Sequence, residues 1–172
     1  MKTLLILVGK TTDRHFAAGI SDYVERIGHY MPFELVTIPE LKNTKSLTEE
    51  QQKALEGELI LKQLLSSDTV VLLDEHGREL RSIEFARWIE QKRNTARRLV
   101  FIVGGPYGFS KDVYARANEQ LSLSRMTFSH QMIRLVFTEQ VYRACTIIKA
   151  EPYPHEYGPP FYLVTFTLYR SL

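Results

Sequence analysis

The sequence predicts an α/β fold built on a mostly parallel sheet. Strand-length apolar runs alternate with helix-length amphipathic stretches along most of the chain. The central runs TLLILVG, VVLL and LVFIVGG are apolar almost throughout, as strands covered on both faces should be. No internal repeat, low-complexity tract or linker breaks the pattern before Glu151, so residues 1–156 read as one domain. Residues 157–172 differ in character and read as an extension.

Taken in order, Thr3 to Gly9 is the first strand. The apolar run in MKTLLILVGKTTDR is short and no small-residue cleavage site follows it, which favours a strand over a signal peptide. DRHFAAGISDYVERIGHY places Phe16, Ile20, Tyr23, Val24 and Ile27 on one helical stripe, with charges opposite. FELVTIPE alternates apolar and polar residues and ends at a proline, so it predicts an exposed, edge-like strand. Ser46 and Thr48 are candidate N-caps, with Glu49 and Gln51 at capping-box spacing, for a helix running to about Leu65. TVVLLDEHG is a buried strand ending in acidic residues, SIEFARWIEQKRNTARR a helix, and LVFIVGG a further strand. SKDVYARANEQ is a short helix capped by Ser110, LSLSRMTF a last short strand or loop, and QMIRLVFTEQVYRACTIIKAE a long amphipathic helix. The tail PYPHEYGPPFYLVTFTLYRSL groups prolines and then offers an uncharged run of high β propensity, suited to a sheet edge or to aggregation.

Composition narrows the function classes. At 172 residues, 44% hydrophobic and 24% charged, the chain can bury a substantial core. A net charge of +2 permits a nucleic-acid partner without arguing for one. The single Cys145 excludes an internal disulfide and cannot form a zinc site alone, which suits a reducing cytoplasm. No apolar stretch approaches the roughly 20 residues of a membrane-spanning helix.

In an open parallel sheet, ligands bind where loops diverge at the carboxyl ends of strands. Three loops qualify: the one after VVLLDEHG, the loop GGPYGFS, and SLSRMTFSHQ before the final helix. Glycines at 104, 105 and 108 would let main-chain groups approach a ligand closely, or would simply make a sharp turn. Neither GxGxxG nor a GKS/GKT sequence occurs, so a dinucleotide fingerprint and a P-loop are both unsupported. Asp74 and Glu75 could act as acid–base groups or hold a ribose hydroxyl, or form a solvated strand end, and His76 beside them reads as a surface histidine. His130 faces the same region, as a site residue or as the cap of the last helix. The histidines have no ligand-like spacing, so no metal is expected. Arg87, Lys92, Arg93, Arg97 and Arg98 form a basic cluster that could grip phosphates or be a solvated face. The stripe of Ile133, Val136, Phe137 and Val141 fits core packing or a dimer seam.

LLDEHG, IVGGPYGFS, LSLSRMTFSHQMIRLVFTEQVYRA and EPY, in order over nearly the whole chain before the tail, resemble the large-subunit ribosomal RNA methyltransferase H family of the SPOUT class. The resemblance implies an α/β knot in which the C-terminal helix threads a loop, breaking the usual rule against knots. It implies methyl transfer from S-adenosylmethionine to N3 of a pseudouridine in 23S rRNA on the assembled ribosome. It also implies a cytoplasmic homodimer whose pocket the partner chain completes. By matching positions, Leu73, Gly105, Ser124, Arg125, Met126, Thr127, Phe128 and Ser129 would line the cofactor site. His130, Tyr153 and His155 are the candidate catalytic residues for orienting the base or relaying its proton. The tail departs from the family pattern: Pro154 stands where a histidine is common, and an apolar segment follows. A ribosome-binding module that keeps the fold without turnover is therefore the alternative.

Overall fold

The computed structural model of the chain describes residues 1–153. β1 (Lys2–Val8), β2 (Phe33–Ile38), β3 (Thr69–Glu79), β4 (Arg98–Val103) and β5 (Glu119–Ser122) form one parallel sheet in the order β2-β1-β4-β3-β5. The period-two alternation of strand side chains divides them between two cores. Leu5, Leu7, Val71, Leu99 and Phe101 face one side, where α1 (Arg14–Gly28), α3 (Ser82–Thr95) and α5 (Met132–Ile148) cover them. Leu4, Ile6, Val70, Leu72, Val100 and Ile102 face α2 (Glu49–Leu61) and α4 (Lys111–Arg116). At roughly 1.5–3 kcal/mol per buried aliphatic or aromatic side chain, this two-sided burial is the main source of stability. β2 is an edge strand, and its half-buried alternation is what an edge should show.

Local chemistry sets the helix ends. The Asp13 carboxylate caps α1 by accepting from the amides of His15 (2.8 Å) and Phe16 (3.1 Å). Thr48 and Gln51 form a reciprocal capping box on α2, whereas Ser46 belongs to a 3₁₀ turn, Thr44–Ser46. α2 stops at Leu61, short of the expected Leu65. The Asp68 carboxylate accepts from the Leu65 amide (2.7 Å) and turns the chain toward β3. α4 ends early because Asn118 already pairs with β3: its amide donates to Val70 O (2.8 Å) and its Oδ1 accepts from Val70 N (2.7 Å).

Two features depart from expectation and both shape the site. β3 does not end at its acidic residues. Leu121 of β5 pairs with both Leu73 and Arg78, so residues 74–77 bulge out and pairing then resumes through Glu79 and Ser122. Gly77 permits this, since a Cβ there would lie 2.5 Å from Leu121 C and 2.6 Å from Leu121 N. The apolar stripe of α5 also contains a fully buried arginine, Arg134. Its Nη2 donates to Val8 O (2.6 Å), and its Nη1 to Gly9 O (2.9 Å) and Thr11 Oγ1 (3.1 Å). Next to it, Gln131 Oε1 accepts from Thr12 N (2.9 Å) and Gln131 Nε2 donates to Lys10 O (3.2 Å). α5 is thereby pinned to the carboxyl end of β1, a placement that suits the threading implied by the resemblance.

Candidate functional site

A cavity of about 640 Å³ opens beyond the carboxyl ends of β3, β4 and β5. That is the size of a small-molecule or cofactor pocket, at the place an open parallel sheet offers one. Three segments build it: the bulge from Leu73 to His76, the turn from Val103 to Phe109, and the loop from Leu121 to His130. Tyr114 and Ile133 complete the lining.

The middle segment is nearly bare. Gly108 has φ +81°, a left-handed conformation that favours glycine, and its amide donates to Gly105 O (3.1 Å). A Cβ on Gly104 would press on the Phe109 ring at 3.1 Å. A Cβ on Gly105 would overlap Glu56 Oε2, with Glu56 Cδ at 3.1 Å. Much of the missing volume is thus taken by the protein's own floor, and the main chain is left presented to the cavity. Ser110 ends the turn by accepting from Val113 N (3.3 Å), the cap read from sequence.

The third segment is held by its own serines. Ser122 Oγ donates to Ser124 O (3.0 Å), and Ser124 Oγ accepts from Met126 N (2.9 Å). Ser129 Oγ accepts from Met132 N (3.2 Å) and Ser129 O accepts from Ile133 N (3.0 Å). Gln131 occupies the N-cap position of α5, and Ser129 rather than His130 binds its first amide. His130 stays exposed on the cavity rim.

The bulge carries a half-buried acid. Asp74, with a side chain only 9% exposed, accepts from Tyr114 OH (2.5 Å) and from the His76 amide (2.9 Å), and its Oδ1 lies 3.2 Å from His76 Nδ1. Burial, reinforced by the bond to Asp74, pushes the Tyr114 phenol far above its ordinary value, so it remains a donor. Sequence reasoning weighed Asp74 but had no signal for Tyr114, which lies forty positions along the chain.

Leu73, Gly105, Ser124, Met126, Thr127, Phe128, Ser129 and His130 all line the cavity. Arg125 does not: its side chain is 90% exposed, with Nε 3.2 Å from Glu79 Oε1. Tyr153 also lies elsewhere in this chain. Its hydroxyl donates to Glu139 Oε1 on α5 (3.1 Å), and its ring packs on Tyr142 and under Arg143. Burial, with Tyr23 and Glu139 adding to it, raises the Tyr153 phenol. His155, Pro154 and residues 157–172 fall outside the described residues. In the basic cluster, Lys92 pairs with Glu119 and Arg98 with Asp68, which gives those two a structural use. Among the described residues, no group of three His, Cys, Asp or Glu side chains could hold a metal ion, and no helix is long and apolar enough to cross a membrane.

Bare main chain, apolar walls from Leu73, Val103, Leu121 and Phe128, and the Asp74 carboxylate suit a small ligand with both apolar and hydrogen-bonding groups. Such a cavity, on a five-stranded parallel sheet, defines an α/β protein with a small-molecule pocket at its strand ends. The family profile described as "Predicted SPOUT methyltransferase" matches residues 1–155, and the chain belongs to that family. It is 62% identical over 157 residues to "Ribosomal RNA large subunit methyltransferase H" of Bacteroides fragilis, covering 91% of this chain and 100% of the relative. Proteins of the same name from Phocaeicola vulgatus and Porphyromonas gingivalis are 61% and 52% identical over the same shares of both chains. Among solved structures, a probable methylase family protein from Haemophilus influenzae shares the fold at TM-score 0.50 and 14% identity, over 98% of this chain and 77% of that one.

Proposed function

We propose that this protein transfers a methyl group from S-adenosylmethionine to N3 of a pseudouridine in 23S rRNA, acting on assembled ribosomes as a cytoplasmic homodimer. The observation that carries the reading is the cavity itself. In a chain of the SPOUT family, it joins the Gly104–Gly108 main chain to the serine-braced loop at residues 124–129. The names of the relatives point to ribosomal RNA as substrate. The main chain of residues 104–108 and 124–129 would hold the adenosine edge. Leu73, Met126 and Phe128 would supply apolar walls, and Asp74 would face a hydroxyl or the positive centre. When bound, the sulfonium supplies an electrophilic methyl. The protein's task is then to align the target nitrogen and ease loss of its proton.

His130, exposed on the rim, is our candidate for orienting the base or accepting its proton. Tyr153 is held on Glu139, away from this chain's own cavity, so its role would be exerted at the partner's site; His155 is a candidate by resemblance alone. The knot and the homodimer would make the pocket depend on the C-terminal segment.

The test begins with calorimetric titration of the protein with S-adenosylmethionine, for which micromolar binding corresponds to about −8 kcal/mol. Methylation assays on unmodified ribosomes and on free nucleosides follow. Transfer to ribosomes alone supports the reading, while transfer to free nucleosides assigns a small-molecule enzyme. Cofactor binding with no transfer to either assigns the non-catalytic ribosome-binding module.

A further inference from the structure

Beneath the glycine turn lies a carboxyl group that no step above uses. Glu56, on α2, is 5% exposed. Its Oε1 accepts from Gln52 Nε2 (3.0 Å), while its buried Oε2 has no hydrogen-bond partner among the described residues. That oxygen lies against Gly105, where an added Cβ would overlap it. The next residue, Gly57, packs so closely on Ser110 that a Cβ would collide with its hydroxyl and reach Val113 Cγ2 at 3.3 Å. Consecutive residues of one helix therefore hold both ends of the turn that forms the cavity floor.

A buried carboxyl oxygen left without a bond is costly, more so if charged, and such groups are few in folded proteins. An apolar side chain of the same size would fill this space without that cost. The cost is recovered by a small movement of the turn that brings its main chain within bonding distance of the oxygen. Burial also raises the Glu56 carboxyl above its ordinary range, opposed by the Gln52 bond and aided by Glu40.

We propose that Glu56 is a positioning residue for the cofactor: its Oε2 bonds the main chain at Gly105 from below and sets the turn against which the cofactor rests. The inference rests on the cofactor reading above but acts through the turn. Two readouts therefore keep the failures apart. The first is S-adenosylmethionine affinity in wild type, Glu56→Gln and Glu56→Ala; the second is amide exchange of Gly105, Tyr107 and Gly108 in the same proteins without cofactor. Glu56→Gln keeps the shape and a donor and acceptor, so it should bind within about 3-fold of wild type. Glu56→Ala should bind at least 10-fold more weakly, with kcat at saturating cofactor unchanged, and exchange at the three amides should rise at least 10-fold.

If Glu56→Ala fails to fold, Glu56→Asp takes its place, because the shorter side chain withdraws the oxygen from Gly105. Wild-type exchange rates at the turn in the Ala or Asp variant overturn the proposal, as does equal weakening by Gln and Ala. If the wild type binds no S-adenosylmethionine, the cofactor reading fails, and the exchange arm alone decides whether Glu56 sets the turn.

Discussion

Replacing Arg134 offers a test of how the corner that carries the site is held. Its guanidinium is fully buried and bonds two main-chain carbonyls, Val8 O and Gly9 O, together with Thr11 Oγ1. Among the described residues it has no carboxylate within ion-pair distance. Burial pulls it below its ordinary value, with Glu40 opposing, but an arginine stays protonated in a protein. Arg134→Met keeps the apolar stem and strands two carbonyls at about 1–3 kcal/mol each. Removing a buried charge returns part of its desolvation cost, itself several kcal/mol, which leaves a net loss of roughly 1–3 kcal/mol. For a domain of this size each kcal/mol lowers Tm by roughly 2–4 °C, so the expected fall is roughly 2–12 °C. Arg134→Lys keeps the charge but replaces a planar fork by a point donor that cannot reach both carbonyls. Its loss should equal or exceed that of Met. Calorimetric Tm, with urea unfolding at unchanged slope, measures both. A lysine variant within 1 °C of wild type (an experimental tolerance, roughly a quarter to half of a kcal/mol), or clearly milder than Met, would show that charge rather than the fork holds the corner.

Two further perturbations address the bulge and the acid end of the stability profile. Gly77→Ala would drive a Cβ into the Leu121 main chain, which cannot move cheaply; a loss of about 1–3 kcal/mol is expected. Thermal unfolding measures it against Gly28→Ala, where nothing lies within 4 Å and little change is expected. Burial disfavours ionisation of Asp68, but the Arg98 fork (2.7 and 2.5 Å), the Leu65 amide and the charges of Arg98 and Arg116 outweigh it and hold the carboxyl below its ordinary range. A depressed folded value means that this stability is present above the unfolded value near pH 4 and is lost as pH falls through the folded one. Asp68→Asn should therefore cost about 2 kcal/mol at pH 7 and nothing once both proteins are in strong acid. A mutant deficit independent of pH in denaturant titrations would refute that account.

How much was legible in the sequence follows from which interactions are local. Strand runs and helix stripes announce themselves because burial on a sheet or helix face imposes a period of 2 or 3.6 on hydrophobicity. The caps at Asp13, Thr48 and Ser110 lie within a few residues of the amides they bind. Arg134 leaves no such trace. It interrupts an apolar stripe, and its partners, Val8 and Gly9, lie about 125 positions earlier. The bulge was hidden for a related reason: TVVLLDEHG reads as a strand that ends at its acidic residues, and only pairing with Leu121, far along the chain, returns the following residues to the sheet. Tyr153 was grouped with the site on the strength of resemblance, and within one chain the geometry holds it on Glu139 instead.

The glycine turn shows where reading side-chain absence as ligand space falls short. Missing volume says that something lies close, not on which side. At Gly104 and Gly105 the close neighbours are Phe109 and Glu56, both inside the protein. Bulk at these positions would first lift the turn from its floor and only secondarily intrude on the cavity. The two effects separate in a cycle: Gly105→Ala in the wild type should weaken cofactor binding, and in the Glu56→Ala background, where the opposing oxygen is gone, much less. Close neighbours of this kind couple by about 0.5–3 kcal/mol. Strict additivity of the two substitutions would place the glycine's role on the ligand side after all.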